Sequence, residues 1–237
     1  MKITIFNGSP RGRKSNSNVI AESLLEGAEL AGAQTEQVFL IEKDIKQCLG
    51  CFSCWEKTPG SCILNDDMKE LINLYLESDY VGMATPVYNM YMTGLLKNFT
   101  DRFLPLVTPH LQRKEDGSFY HEGRVKHFPR QFFIANSGFP GEHNFDVLKK
   151  FFENQNLVLE IYRDCGEALQ ATVENPSLIE KINQYREHLK KAGSEIVQNG
   201  QVCGETKDQI HSKLIRDEEY MEEANRQWNE MLEETDC

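Results

Sequence analysis

Lys2-Ile3-Thr4-Ile5-Phe6-Asn7-Gly8-Ser9-Pro10-Arg11-Gly12-Arg13-Lys14-Ser15-Asn16-Ser17-Asn18 opens on an apolar run and breaks into a polar, glycine-bearing turn. Ile20, Leu24, Gly27, Ala28 and Ala31 then follow at helical spacing. A short buried strand, a turn and an amphipathic helix make the first half of a βαβ unit. Four further apolar runs, at residues 37–41, 80–85, 131–136 and 157–162, repeat the first. Most are continuously apolar rather than alternating, as suits strands covered on both faces.

Helical stripes separate these runs. Met68, Leu71, Ile72 and Tyr75 form one; Leu95, Leu96, Phe99 and Phe103 the next; Phe145, Leu148 and Phe152 another. Leu178, Ile182, Tyr185, Leu189 and Ile196 form the last, which starts at the capping-box pattern Asn175-Pro176-Ser177-Leu178-Ile179-Glu180 and stops before Gly200. Strand–helix alternation predicts an α/β fold with a doubly wound parallel sheet. Five strands favour the flavodoxin-like order 2-1-3-4-5. One domain over residues 1–200 is expected, with a cysteine-rich insertion at 46–66 and a long loop at 105–129 placed as a lid or binding loop.

The 237 residues carry 26 basic and 37 acidic side chains, a formal charge of −11. That excess argues against sequence-independent nucleic-acid binding and against anionic membrane surfaces. No apolar run is long enough for a bilayer span, and the first run is too short for a signal peptide, so a cytoplasmic location is expected. Residues 201–237 form an acidic helical tail. Its stripe of Met221, Ala224, Trp228 and Met231 is expected to dock on the chain's own domain, with a partner-binding helix as the other use.

At the carboxyl end of the first strand, the turn quoted above lies where open α/β sheets bind ligands. A helix N-terminus there offers free amides and a positive dipole end. Ser9, Ser15 and Ser17 add hydroxyls, Asn16 lies among them, and Arg11 adds a guanidinium, which together make a phosphate cradle. The dinucleotide fingerprint is absent. The spacing Gly8 to Gly12-Arg13-Lys14-Ser15 misses a nucleotide-triphosphate loop by one residue, which disfavours a nucleotide hydrolase. After the third strand, Pro86-Val87-Tyr88-Asn89-Met90 supplies a stiffened backbone and an aromatic. After the fourth, Ser137-Gly138 adds a second glycine-bearing loop on the same edge. A crevice with a phosphate end and a planar-ring end fits FMN.

Seven cysteines include Cys48, Cys51, Cys54 and Cys62 within fifteen residues. The C-x2-C-x2-C run resembles the opening of an iron–sulfur ligand set, with Cys62 closing it, so a [4Fe–4S] cluster is expected. A dithiol/disulfide pair or simple reduced thiols would use the same residues. Cys165, Cys203 and Cys237 stand apart.

Taken together, Gly8-Ser9-Pro10-Arg11, the four clustered cysteines, Asp66-Asp67-Met68, Thr85-Pro86-Val87-Tyr88, Leu96-Lys97-Asn98-Phe99-Thr100-Asp101-Arg102 and Gly138-Phe139-Pro140 resemble the iron–sulfur flavoprotein branch of the NADPH-dependent FMN reductase family. The resemblance covers roughly residues 1 to 200. It implies FMN on the three loops, reduction by NAD(P)H or another donor such as a ferredoxin-like protein, and a homodimer or homotetramer. An FMN-dependent oxidoreductase reducing flavin, quinone or similar small acceptors is the leading expectation, with a non-enzymatic electron carrier as the alternative. No acid/base constellation stands out, and none is required when the cofactor performs the chemistry. The six histidines read as solvated loop positions.

Overall fold

Ile3, Ile5 and Phe6 are fully buried, as their run predicts, and place the first strand at the centre of the molecule. The structure is a computed structural model that describes residues 1–153, 155–170 and 176–235. In chain order its elements are β1 (Lys2–Asn7), α1 (Asn16–Leu30), β2 (Gln34–Phe39), α2 (Ser53–Glu56), α3 (Met68–Glu77), β3 (Tyr80–Pro86), α4 (Gly94–Asp101), β4 (Val107–Arg113), β5 (Phe119–Gly123), β6 (Arg130–Asn136), α5 (Asp146–Phe152), β7 (Leu159–Arg163), α6 (Pro176–Asn199), α7 (Gly204–His211) and α8 (Asp217–Thr235).

Five parallel strands lie in the order β2-β1-β3-β6-β7. This is the expected 2-1-3-4-5 sheet, with the fourth and fifth expected strands numbered β6 and β7. Alternate residues of the strands feed two apolar layers. Ile3, Ile5, Phe132, Ile134 and Ile161 face α1 and α6. Phe6, Val81, Met83, Phe133 and Ala135 face α3, α4 and α5. The α1–α6 contact is unusually close: a Cβ on Gly27 would fall 1.9 Å from the carbonyl oxygen of Lys190, and one on Gly193 2.0 Å from that of Leu24. Alanine at either position must push the helices apart.

Three expectations are corrected. The second strand starts earlier, at Gln34, and ends at Phe39, because Leu40–Glu42 turns as a 3-10 helix. As an edge strand, β2 needs fewer apolar residues, so its polar first half escaped the pattern. The 105–129 segment is no structureless loop: β4 and β5 pair antiparallel across it, around the Asp116-Gly117 turn. Its exposed side chains hide the alternation that a half-buried hairpin would carry.

The third correction concerns the tail. It does dock on its own domain, but not through the expected stripe. Val202, Ile210 and Leu214 enter the α1–α6 layer. Buried Arg163 stacks over the ring of Tyr185 (4.5 Å) and donates to the carbonyls of Ile210 and Ser212, the latter at 3.0 Å. Beyond Tyr220, Ala224 is half-buried while Met221, Trp228 and Met231 are exposed. Asn175 of the capping-box pattern and Cys237 lie outside the described residues. No described helix is long and apolar enough to cross a membrane.

Candidate functional site

The loops after β1, β3 and β6 meet at the carboxyl edge of the sheet because those strands are neighbours. Gly8 N donates to Ala84 O (2.8 Å), and Thr93 Oγ1, at the N-cap of α4, donates to Gly8 O (2.7 Å). A Cβ on Gly8 would lie 2.6 Å from Leu96 Cβ, so only glycine lets α4 approach this turn. Thr85 Oγ1 accepts from Thr93 N at 3.1 Å.

Asn136 joins all three loops. Its Nδ2 donates to Ser17 Oγ at 2.6 Å, and its backbone carbonyl accepts from Val87 N at 2.7 Å. A polar residue ending the apolar run Phe132-Phe133-Ile134-Ala135 was the available signal for it.

Of the residues expected in the cradle, Ser9, Ser15, Asn16 and Ser17 are all buried. They divide into different uses. Ser15 caps α1: its Oγ donates to Gly12 O (2.7 Å) and accepts from Asn18 N (3.1 Å). Asn16 Oδ1 accepts from Gln170 Nε2 at 2.7 Å. Arg11 stands outside the cradle, its guanidinium held by Glu167 at 3.0 Å. Ser9 and Ser17 keep hydroxyl protons that no contact described here uses. Glu167 and Gln170, which tie the turn after β7 to the first loop, carried no sequence signal.

The β3 loop folds as a tight turn. Tyr88 and Tyr91 exchange backbone hydrogen bonds of 2.9 and 3.1 Å, with Asn89 (φ 50°) and Met90 (φ 64°) left-handed between them. Left-handed backbone at a methionine is costly and concentrates at ligand clamps. Pro86 and Val87 are half-buried; Tyr88, Asn89 and Met90 are exposed. On the β6 loop, Ser137 is buried and Gly138 exposed, and a Cβ on Gly138 would meet nothing within 4 Å. Asn7 Nδ2, buried at the end of β1, has no hydrogen-bond partner. Open space, spare hydroxyls and an orphaned amide at one strand end fit a phosphorylated ring compound. Two clefts among the described residues lie apart from the cradle, the second touching the β3 loop at Tyr91. One of about 580 Å³ runs between α5, β7 and α7, and one of about 520 Å³ lies beside Tyr91 and Phe151.

A second constellation sits past the other end of α4. The arms of the cysteine insertion are clamped at their base. Asp66 receives two hydrogen bonds from Arg102, of 2.6 and 3.1 Å, and one of 3.0 Å from Lys46 N. Arg102 also donates to Lys46 O, and Asn98 Nδ2 to Ile45 O at 2.6 Å. Both charged side chains of the clamp are 1% exposed. Burial pushes the Asp66 carboxyl up, but the Arg102 hydrogen bonds and the Lys46 and Met68 amides outweigh it and hold the carboxyl below its ordinary value. Burial pulls the Arg102 guanidinium down, but Asp66 first and the nearby Cys62 after it hold it above its ordinary value. The motif residues Asp66, Asn98 and Arg102 are therefore the base of the insertion.

Within the insertion, Cys48 and Cys51 are exposed, Cys62 half-buried and Cys54 buried, all four as free thiols. Hydrogen bonds from Ser53, hydroxyl first and amide second, hold the Cys51 thiol below its ordinary value. Burial pushes Cys54 up, and the neighbouring Cys62 adds to this. Among the described residues, no three of these sulfurs lie within 4.8 Å of one another. A single tetrahedral zinc, with Zn–S near 2.3 Å, needs sulfurs about 3.8 Å apart. Four free thiols beside a buried guanidinium could together hold an anionic metal cluster. Trp55 anchors the insertion sideways: its Nε1 donates to Leu104 O (3.2 Å) and Val107 O (3.0 Å), and its ring packs on His121 at 5.0 Å. His121, on β5 of the hairpin, is thus half-buried against Trp55, not the solvated residue expected.

The profile of the NADPH-dependent FMN reductase family matches residues 1–118. An iron–sulfur flavoprotein of Archaeoglobus fulgidus is 40% identical over 119 residues, which cover 50% of this chain and 53% of that protein. One of Methanocaldococcus jannaschii is 34% identical over 106 residues, 45% of this chain and 53% of its own length. The chain spans about half the length of these curated relatives. The structure of an FMN-dependent NADH-azoreductase from Bacillus anthracis, in complex with FMN, superposes with a TM-score of 0.58. It covers 83% of this chain and 99% of that one at 18% identity, a likeness of fold.

Proposed function

Over residues 1–118 the chain belongs to the NADPH-dependent FMN reductase family, and from that premise we propose that it is an oxidoreductase holding FMN at the carboxyl edge of its sheet. In this reading NAD(P)H or another donor supplies electrons, and flavin, quinone or similar small acceptors receive them. FMN, when bound, supplies the chemistry of taking up a hydride and returning two electrons, together or singly.

The observation that carries the reading is the convergence on Asn136. One side chain at the switch point of the sheet fixes the first loop through Ser17 and the third strand's exit through Val87. Ser9, Ser17 and the leading amides of α1 would hold the phosphate. Pro86 to Met90, with Ser137 and Gly138, would hold the ring, the strained Asn89-Met90 turn presenting backbone atoms to its edge. Arg11, Ser15 and Asn16 act one step back, shaping the cradle through Glu167, the α1 cap and Gln170.

Cys48, Cys51, Cys54 and Cys62 would hold a [4Fe–4S] cluster relaying single electrons. Its support is α4 itself: Thr93 belongs to the crevice and Arg102 to the cysteine clamp. The eight residues between them make a helix of about 12 Å, so one rigid element ties the two constellations together. The same insertion exposes Leu49, Phe52 and Ile63 beside its thiols, which favours the second reading, an electron carrier serving a ferredoxin-like protein partner. We further place the protein in the cytoplasm as a homodimer or homotetramer, for which the exposed Leu111 and Phe119 of the β4–β5 hairpin offer apolar surface.

Protein purified without oxygen, with its absorption spectrum recorded and flavin and iron quantified, tests both cofactors. Steady NAD(P)H oxidation with a quinone acceptor supports the enzyme, and fast one-electron exchange without it the carrier. Folded protein that stays colourless and takes up no FMN ends the proposal.

A further inference from the structure

The C-terminal segment reaches the same sheet edge as the three loops. Tyr220, on the first turn of α8, is 8% exposed, and its hydroxyl donates to Gly138 O at 2.8 Å. Its ring closes an apolar cluster with Cys165 and Ala168, flanked by Ile215 and Ala224. That cluster belongs to the turn after β7, which is stitched to both sides of the crevice. Gly166 N donates to Ser137 O (2.7 Å), Glu167 holds Arg11, and Gln170 Nε2 reaches Lys14 O (2.9 Å) and Asn16 Oδ1.

The approach of α8 is fixed before Tyr220 is reached. Arg163 holds the end of α7, Lys181 Nζ donates to Leu214 O at 3.3 Å, and Lys213 pairs with Asp217 at 2.6 Å. Beyond this the helix runs mostly exposed, so Tyr220 is its anchoring side chain at the sheet edge. Asn144 holds the far end of the same loop through the carbonyls of Pro140 and Gly141. Tyr220 holds the near end at Gly138, where the backbone borders open space. Burial above all pushes its hydroxyl up to about 12, so it stays a donor at neutral pH.

We propose that Tyr220 is a positioning residue for the flavin: by holding the Gly138 carbonyl it sets the 137–139 loop, and the C-terminal segment is thereby part of the cofactor site. The inference rests on the FMN reading above. By linkage, a contact that strengthens FMN binding is itself strengthened when FMN binds.

The test measures FMN affinity of the full chain by flavin fluorescence, the spectrum of the bound flavin, and thermal unfolding without FMN. Tyr220→Phe is expected to raise the FMN Kd about fivefold, the loss of one hydrogen bond, and to alter the flavin absorption bands. Met221→Ala, at the exposed neighbouring position, should leave both unchanged. In the unmodified chain, amide exchange across residues 217–224 should slow when FMN is added, a readout independent of whether the variant folds well. An unchanged Kd and spectrum in Tyr220→Phe, or unchanged exchange in that segment, overturns the inference and leaves the flavin site standing. An unmodified chain that binds no FMN overturns both.

Discussion

Thr93 and Arg102 stand at the two ends of α4, and the regions they serve are built differently. At the Thr93 end, three adjacent strands deliver three loops to one place, and buried side chains bond the loops to one another. At the Arg102 end, the chain leaves the sheet entirely. It is pinned at its base by Asp66 and Arg102 and at its side by Trp55, with Cys48 and Cys51 in solvent and, among the described residues, no three of the cluster sulfurs within 4.8 Å of one another. The sheet edge is a site that the fold completes. On the proposed reading, the cysteine insertion is a site that the fold places and a ligand must complete, as thiolate sites generally are.

The largest test separates the two regions outright. Cys51→Ser should abolish iron retention while FMN remains bound at full stoichiometry, both quantified on anaerobically purified protein. Unchanged iron would remove the cysteine assignment, and parallel loss of flavin would show that the regions are one unit. Next in size is the clamp. Asp66→Leu leaves Arg102 buried without a counter-charge, which should cost on the order of 3–5 kcal/mol in urea unfolding. The double change Asp66→Leu with Arg102→Met should cost less than Asp66→Leu alone. FMN affinity measured below the unfolding transition should be unaffected in both.

A smaller effect probes the preformed edge. Ser17→Ala removes one hydroxyl and leaves Asn136 Nδ2 with only its longer contact to Thr85 O at 3.5 Å. Loss of roughly 1–1.5 kcal/mol follows for a buried hydrogen bond, about a tenfold weaker FMN Kd. Iron content should not change. A Kd unchanged by Ser17→Ala would mean that the cradle holds no phosphate there.

How far the sequence reveals each region follows from the same contrast. The sheet and its order were legible because buried parallel strands are apolar throughout, and Phe132 to Ala135 or Ile3 to Phe6 admit few other readings. The loops were legible by position, since strand order alone brings Ser17, Val87 and Ser137 to one edge. Glu167, Gln170 and Tyr220 were not, because each acts through a partner 80 or more residues away and matches no local pattern. The cysteines were obvious from spacing, yet their clamp was visible only as motif residues without a role. The β4–β5 hairpin escaped because its exposed faces leave no periodicity to read.

The smallest predicted effect concerns acid. The Asp66 carboxyl is held below its ordinary value in the folded chain, so the clamp's contribution is complete above the ordinary carboxylate range and is lost as pH falls through the lowered folded value. The insertion should therefore keep its place from neutral pH down to about 4, near the unperturbed Asp pKa, and loosen below it. The chain has two tryptophans, Trp55 in the insertion and exposed Trp228 in α8. In a Trp228→Phe background, Trp55 fluorescence should hold steady to about pH 4 and change below it, ahead of the loss of far-ultraviolet circular dichroism. That order of events follows because the clamp guards an insertion while the sheet is held by apolar burial, which acid leaves largely intact. A Trp55 transition centred well above pH 5 would point to a different group at the base, and one coincident with global unfolding would make the insertion as firmly built as the sheet edge.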